Sequence, residues 1–315
     1  MIKKTVLALA LSGMGAVACA QSQVQMYGIV DLNVGKDIGA AGLRMSNGTV
    51  SRIGFKGTED LGNGMSAFFD LLHRFNPDTG QNNGGTGGPT GPFWAGGSVV
   101  GLSGGFGKLM LGRAVAEATM GSQILPDPWY WDNVTSSYPI TSGSIGHVWY
   151  NNAVSYEFSR DGLSLGLQVA DADANSLYGT TTSRPVNGSL RYASGDFSVG
   201  VGHEKTGEAH AKWTTVDASI VFGRATVHGL VGTGTNAADA SVRSVYVSGV
   251  IPADAFNILL AYGRVRTSDA TTTSKFSAGA YYNLSKRTSV YTNLAHDAKA
   301  ASSPVGYELG VRHFF

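Results

Sequence analysis

The sequence predicts an all-β protein, a 16-stranded antiparallel transmembrane β-barrel, and three observations carry that expectation. First, the last eleven residues read V-G-Y-E-L-G-V-R-H-F-F, with Val305, Tyr307, Leu309, Val311 and Phe315 on one face and Gly306, Glu308, Gly310 and Arg312 on the other. That is the period-two pattern of a strand with one greasy face, and about 10 to 11 residues suffice to cross a bilayer at a tilt. Second, only 14% of residues are charged and 44 are glycine, unusual for a soluble chain of this length but suited to a wall facing lipid. Third, nothing beyond residue 20 approaches 18 consecutive apolar residues, so a membrane would be crossed by strands rather than a helix.

The N-terminus is set apart. Lys3 and Lys4 precede an apolar run from Thr5 to Ala10, and small residues end at Ala18-Cys19-Ala20. This reads as a secretory signal peptide over residues 1–20, with the barrel domain over 21–315. The apolar run is too short for an anchor and is followed by Gly13 and Gly15. A lipoprotein signal is disfavoured because Ala16 stands where leucine is usual. Cleavage would remove the only cysteine, Cys19, leaving strand closure rather than disulfides to stabilise an exported chain. The formal charge of +1 would fall to about −1 with Lys3 and Lys4 gone, which offers nucleic acid no basic surface.

From Gln21 the strands follow in order. Residues 24–34 place Met26, Val30, Leu32 and Val34 opposite Asp31 and Asn33. Strands over 50–60 and 65–75 flank the tight turn Leu61-Gly62-Asn63-Gly64. A Gly, Asn and Pro-rich loop covers 76–93. Strands over 94–103 and 107–113 surround Gly104-Gly105-Phe106, and nearly forty residues then lack a strand period. Alternation resumes at Val154, Tyr156 and Phe158, and again at Leu163, Leu165, Leu167 and Val169. Further strands are expected over 186–193, 197–206, 212–222, 224–234, 242–251, 256–266, 274–284 and 287–296. With the terminal strand these make sixteen, each taking roughly 18 residues with its connection, a spacing that fits such a barrel.

Connections near 62, 105, 161, 195, 223, 253 and 286 are short, whereas those after 75, 113, 170, 206, 234, 266 and 296 are mostly longer. Short turns on one rim and long loops on the other characterise outer-membrane barrels. Aromatics such as Tyr27, Phe75, Phe106, Phe222, Phe256 and Tyr282 sit near strand ends, as an interfacial girdle requires.

Several of these stretches resemble the general (diffusion) porin family of Gram-negative outer membranes, in its proteobacterial branch. Residues 51–62, S-R-I-G-F-K-G-T-E-D-L-G, are similar to that family's second strand and turn. Val100 to Gly107 with Gly112-Arg113 resemble its fourth and fifth strands; Tyr282 to Tyr291 and Gly310 to Phe315 resemble its last hairpin and closing strand. The resemblance implies a homotrimer in outer-membrane lipid through which ions and small hydrophilic solutes diffuse. It also implies that Phe315 helps the outer-membrane assembly machinery recognise the chain.

The family further implies a long inward-folded constriction loop, here Ala114 to about Asn151, facing a ladder of basic wall residues. The loop carries Glu117, Asp127 and Asp132 and the cluster Trp129-Tyr130-Trp131. Arg52, Lys56 and Arg113 match family positions on the wall; the alternation points Arg52 and Lys56 inward, since an outward cation at mid-bilayer would cost about 2 to 4 kcal/mol. Arg74 and Asp70 share an expected inward face, and Arg191 has one on the eighth strand. Charges facing each other across a narrow gap make a transverse field that favours polar cargo. Departures from the family are Glu157 on the sixth strand, Gly96 and Gly97 before Ser98, and Leu125-Pro126-Asp127-Pro128-Trp129 in the loop. They imply a weaker anion preference or a nearly nonselective eyelet.

A substrate-selective channel and a non-conducting structural or adhesive barrel are the alternatives. An enzyme is not expected, because the seven histidines are scattered singly and no Gly-x-Ser-x-Gly elbow occurs. No cofactor or metal is expected: the histidines lack a completing carboxylate or cysteine set, and no carboxylate spacing demands Ca²⁺. The aromatic cluster reads first as pins holding the loop to the wall, and second as a track for sugars or aromatic solutes.

Overall fold

The computed structural model describes residues 23–83, 91–172, 175 and 182–315; the expected signal peptide and part of the 76–93 loop lie outside them. Sixteen staves form one antiparallel sheet: β1 (Gln23–Lys36), β2 (Arg52–Gly62), β3 (Met65–Asn76), β4 (Gly97–Gly104), β5 (Gly107–Val115), β6 (Trp149–Arg160), β7 (Leu163–Ala170) and β8 (Val186–Ser194) make the first half. The second half is β9 (Phe197–Lys205), β10 (Lys212–Phe222), β11 (Ala225–Thr235), β12 (Ser241–Ala253), β13 (Phe256–Thr267), β14 (Ala270–Asn283), β15 (Thr288–Asp297) and β16 (Val305–Phe314). Each pairs with its sequence neighbour, and β16 returns to pair with β1, with Asp31 opposite Arg312 and Ile29 opposite Phe314. The sheet closes into a barrel without a free edge, which satisfies every spanning ladder internally.

Closure is completed by the last residue. Phe315 N–H donates to the Gly28 carbonyl at 3.1 Å, and Gly28 N–H donates to the Phe315 carbonyl at 3.0 Å. The Phe315 ring lies over Gly28, where a Cβ would stand 2.4 Å from the ring. The same device recurs within the wall: Tyr27 covers its register partner Gly54, and Tyr291 covers Gly310. Part of the glycine richness is thus explained, because an aromatic ring fills the space its cross-strand partner leaves empty.

Period-two alternation holds around the wall, with Val24, Leu111, Val231 and Leu309 among many apolar side chains exposed on the outer face. The inner face is not uniformly polar. Trp213, Leu230, Tyr246, Leu259, Tyr281 and Tyr291 point inward and are buried against Trp129, Ile140 and Ile145 of the 116–148 connection. The apolar core of this barrel therefore lies between one long connection and the inner wall of the second half.

Three differences from the expected elements are local. β2 has a short upstream piece, Arg44–Asn47, that continues the ladder with β1 after an irregular stretch at 48–51. β6 begins at Trp149 rather than near Val154, because the β5 bulge between Gly112 and Ala114 resets the register before Trp149 pairs with Val115. The connection after β13 is only Ser268–Asp269, with φ 46° and 69°; β13 and β14 extend further than the apolar pattern, and two left-handed residues close them as a tight hairpin.

Candidate functional site

The 116–148 connection is bonded to the non-lipid face of the wall from β8 round to β16. Asn187 Oδ1 on β8 accepts from Glu117 N at 2.7 Å, Ser122 shares a hydroxyl bond with Thr215 on β10, and Ser248 on β12 donates to the Pro126 carbonyl. Trp129 Nε1 donates to Asn293 Oδ1 at 2.9 Å, and Trp213 Nε1 donates to the Thr141 carbonyl at 2.9 Å. Lys275 Nζ donates to the carbonyls of Val134 and Ser136. Two buried wall carboxylates complete the attachment. Glu204 on β9 accepts from Tyr150 Oη at 2.5 Å, His147 N at 2.9 Å and Gln123 Nε2 at 3.1 Å; Glu308 on β16 accepts from Asn293, Asn33 and Val134 N.

Asp127 was expected among the loop's pore-facing carboxylates, but it is fully buried inside the loop's own fold. It accepts from Trp129 N, Trp131 N, Ser137 N and Ser137 Oγ, so it shapes the loop's turns instead of presenting charge. Burial pushes its carboxyl up, and these four donors oppose that shift. Within the aromatic cluster, Trp129 is buried and Trp131 Nε1 donates to Thr141 Oγ1 at 2.6 Å, whereas Tyr130 stands 60% exposed.

Opposite the loop, the first half of the wall gathers cations. Arg74 on β3 lies over the Trp149 ring at 4.7 Å, and Arg113 lies 5.6 Å from the same ring. Arg113 is fixed by donating to the Ala95 carbonyl and to Asn151 Oδ1. Arg312 Nε on the closing stave donates to Asp31 Oδ2 at 2.8 Å, while Tyr291 Oη donates to Asp31 Oδ1 at 2.6 Å. Asp132 of the loop meets this group: it accepts from Val50 N and feels the charges of Arg74, Arg52 and Arg312. Burial nonetheless outweighs the three arginines and pushes its carboxyl up to about 6.

Toward the short-turn rim a cavity of about 580 Å³ opens between loop and wall, lined by both signs of charge. Lys56 stands over the Tyr27 ring, whose hydroxyl donates to Asp70. Lys108 on β5 pairs with Glu157 at 3.4 Å. Glu117 lies at the same cavity, and its carboxyl is pushed up to about 8 by burial first and by the Glu157 charge second, with Lys108 opposing. Arg191 is committed elsewhere: it pairs with Asp217 and donates to the Gly121 carbonyl.

The expected residues thus fall into two groups, Arg52, Arg74 and Arg113 with Asp132, and Lys56 with Glu117 and Glu157. Sequence reasoning missed Arg312 and Asp31 as members of the first group and Lys108 of the second, although the inward parity of Arg312 and Asp31 was visible in their strands. Glu204 carried no signal beyond its inward register.

The chain matches the family model described as Gram-negative porin over residues 5–300. Outer membrane porin protein 32 of Delftia acidovorans is 29% identical with both chains covered in full, and an outer membrane porin of Bordetella pertussis is 27% identical over the whole of both. Among solved structures, an anion-selective porin from Comamonas acidovorans shares the fold with TM-score 0.76 at 24% identity, covering 94% of this chain and 100% of that one. The trimer form of OmpT from Vibrio cholerae does so with TM-score 0.70 at 12% identity, covering 93% and 99%. A closed sixteen-stave barrel with an apolar exterior and a charged interior, matched along nearly its whole length, makes this chain a member of the Gram-negative porin family, an outer-membrane channel for passive diffusion.

Proposed function

We propose that the channel is constricted by the 116–148 connection and passes small hydrophilic anions in preference to cations. One observation carries this reading: Arg52, Arg74, Arg113 and Arg312 are gathered on the wall opposite a single loop carboxylate, Asp132. Even with Asp132 and Asp31 ionised, four guanidinium groups leave a net positive eyelet, and low-dielectric walls lengthen the reach of that charge. In the cavity below, Lys56, Lys108 and Arg113 outnumber the ionised carboxylates while Glu117 is protonated, which extends the same sign. The structurally similar Comamonas acidovorans protein is itself described as anion-selective, in line with this direction.

In the same reading, residues 1–20 are the export signal, Phe315 is the terminus read by the assembly machinery, and three copies assemble in outer-membrane lipid. The trimer form of the similar Vibrio cholerae protein supports the last point. The test is single-channel recording of the refolded protein in a planar bilayer under a KCl gradient. A reversal potential of the sign for chloride is expected, with conductance steps grouped in threes. A potential of the opposite sign would overturn the anion preference, and a folded protein without conductance would return the structural-barrel alternative.

A further inference from the structure

On the second half of the wall the inward apolar side chains are covered by the 116–148 connection. The first half has inward apolar side chains of its own. Phe68 and Leu72 share the lumenal parity of Asp70 and Arg74 on β3, Val99 of β4 stands opposite Asp70, and Met110 of β5 stands opposite Gly101, the ladder partner of Phe68. The connection does not close over this group. All four line the open cavity of about 580 Å³, and the connection contributes Met120 to it, a side chain that is 52% exposed.

Two glycines let the apolar side chains lie down as a floor. Phe68 lies across Gly101, where a Cβ would stand 2.5 Å from its ring, and Leu72 lies over Gly96, where a Cβ would stand 2.7 Å from its Cδ2. Gly96 is one of the departures from the family pattern, so the floor occupies ground where that pattern places a cation. Apolar surface left against water forgoes about 25 cal/mol for each Å² that an apolar partner would cover. A solute with an apolar body supplies that cover; a bare inorganic ion does not.

The charge at the edge of the floor gives the other half of the solute. Lys56 stands opposite Asp70 in the ladder, but Asp70 accepts from Tyr27 Oη at 2.5 Å. Lys56 is exposed and takes part in none of the ion pairs among the described residues. Its ammonium lies 5.1 Å from the Tyr27 ring centre, while Lys108, which is paired with Glu157, lies 5.0 Å from the Phe68 ring centre. A predominantly apolar cavity of about 300 to 1,000 Å³ with a few placed polar groups is the usual form of a small-molecule site. We propose that this cavity is a binding subsite for aryl monocarboxylates, the ring resting on Phe68, Leu72 and Val99 beneath Met120 and the carboxylate meeting Lys56. The charged bond to the ammonium orients the acid, and the floor separates it from smaller anions. The subsite rests on the anion preference proposed above and names the class of anion that is held longest.

The test is block of the single-channel chloride current of the full refolded chain in a planar bilayer. The probes are benzoate, acetate as the carboxylate without a ring, and benzamide as the ring without a charge. Benzoate is expected to block at a concentration at least tenfold below either of the others. Met120→Gln, close in size and exposed, is expected to weaken block by benzoate about threefold or more relative to acetate in the same channels; Lys56→Gln is expected to remove the advantage of benzoate over benzamide. Block by benzoate no stronger than by acetate or by benzamide, in channels whose reversal potential has the sign for chloride, would overturn the subsite and leave the anion preference standing. A potential of the sign for potassium in channels that benzoate does block selectively would overturn the preference and leave the subsite. Selective block that neither variant alters would overturn its placement at this cavity.

Discussion

Replacing Asp132 by asparagine removes the one loop carboxylate that faces Arg52, Arg74 and Arg312 while keeping the side chain's size. A unit charge about 4 Å from a permeating ion in bulk water is worth about 1 kcal/mol, roughly a fivefold change in partition. At physiological salt the Debye length of about 8 Å leaves most of that effect in place. The chloride-to-potassium permeability ratio at pH 7.5 is therefore expected to rise about fivefold or more in Asp132→Asn, read as a reversal potential under a KCl gradient. The wild type should show the same increase by itself on acidification. Its carboxyl lies near 6, so it is charged at pH 7.5 and neutral at pH 5, and anion preference grows as pH falls through that value. The variant should be flat over this interval, and in 1 M salt, where screening acts within about 3 Å, the difference between the two proteins should shrink. A variant that titrates like the wild type, or one that shifts toward potassium, would refute the placement of Asp132 beside the permeation path.

Three other outcomes are expected. Glu117, pushed up to about 8, gains its charge as pH rises from 7 to 9, so anion preference should decline over that interval in the wild type and stay constant in Glu117→Gln; parallel curves would remove Glu117 from the pore. Glu204→Ala strips the acceptor from Tyr150, His147 N and Gln123, at about 1 to 3 kcal/mol for each donor left buried; the loosened loop should appear as added open-channel noise and faster cleavage between residues 116 and 148 by added protease, and quiet channels would count against its anchoring role. Gly28→Val places side-chain atoms where the Phe315 ring and the Arg52 carbonyl already lie, overpacking worth about 1 to 3 kcal/mol; the barrel should lose its heat-resistant compact mobility on gels at a lower temperature, and an unchanged transition would mean that the terminal ring is not held there.

Much of the barrel was legible because alternation is a local property of the chain. Once Ile53 and Phe55 meet lipid, Arg52 and Lys56 must point inward, and the structure pairs Arg52 with Arg74 and Lys56 with Asp70 on that face. Gly and Asp at the short turns marked most stave ends for the same reason. Where alternation was interrupted, expectation and structure separated: the irregular stretch at 48–51 hid the Arg44–Asn47 piece, and the Gly112 bulge hid the start of β6.

The sequence by itself determined the class of the protein, the number of its staves and the face each charged residue takes, because period two assigns sides without reference to any other part of the chain. It did not determine which charges meet, since alternation is silent about height on the wall and position around it. Only closure of β16 on β1 brings Arg312 to Asp31, and only the seating of the long connection sets Asp132 among the arginines while enclosing Asp127 within its own turns. The inward rings of Trp213, Tyr246 and Tyr281 belong to that same tertiary decision: they are apolar on the polar side because a loop distant in sequence packs there and takes the place of water.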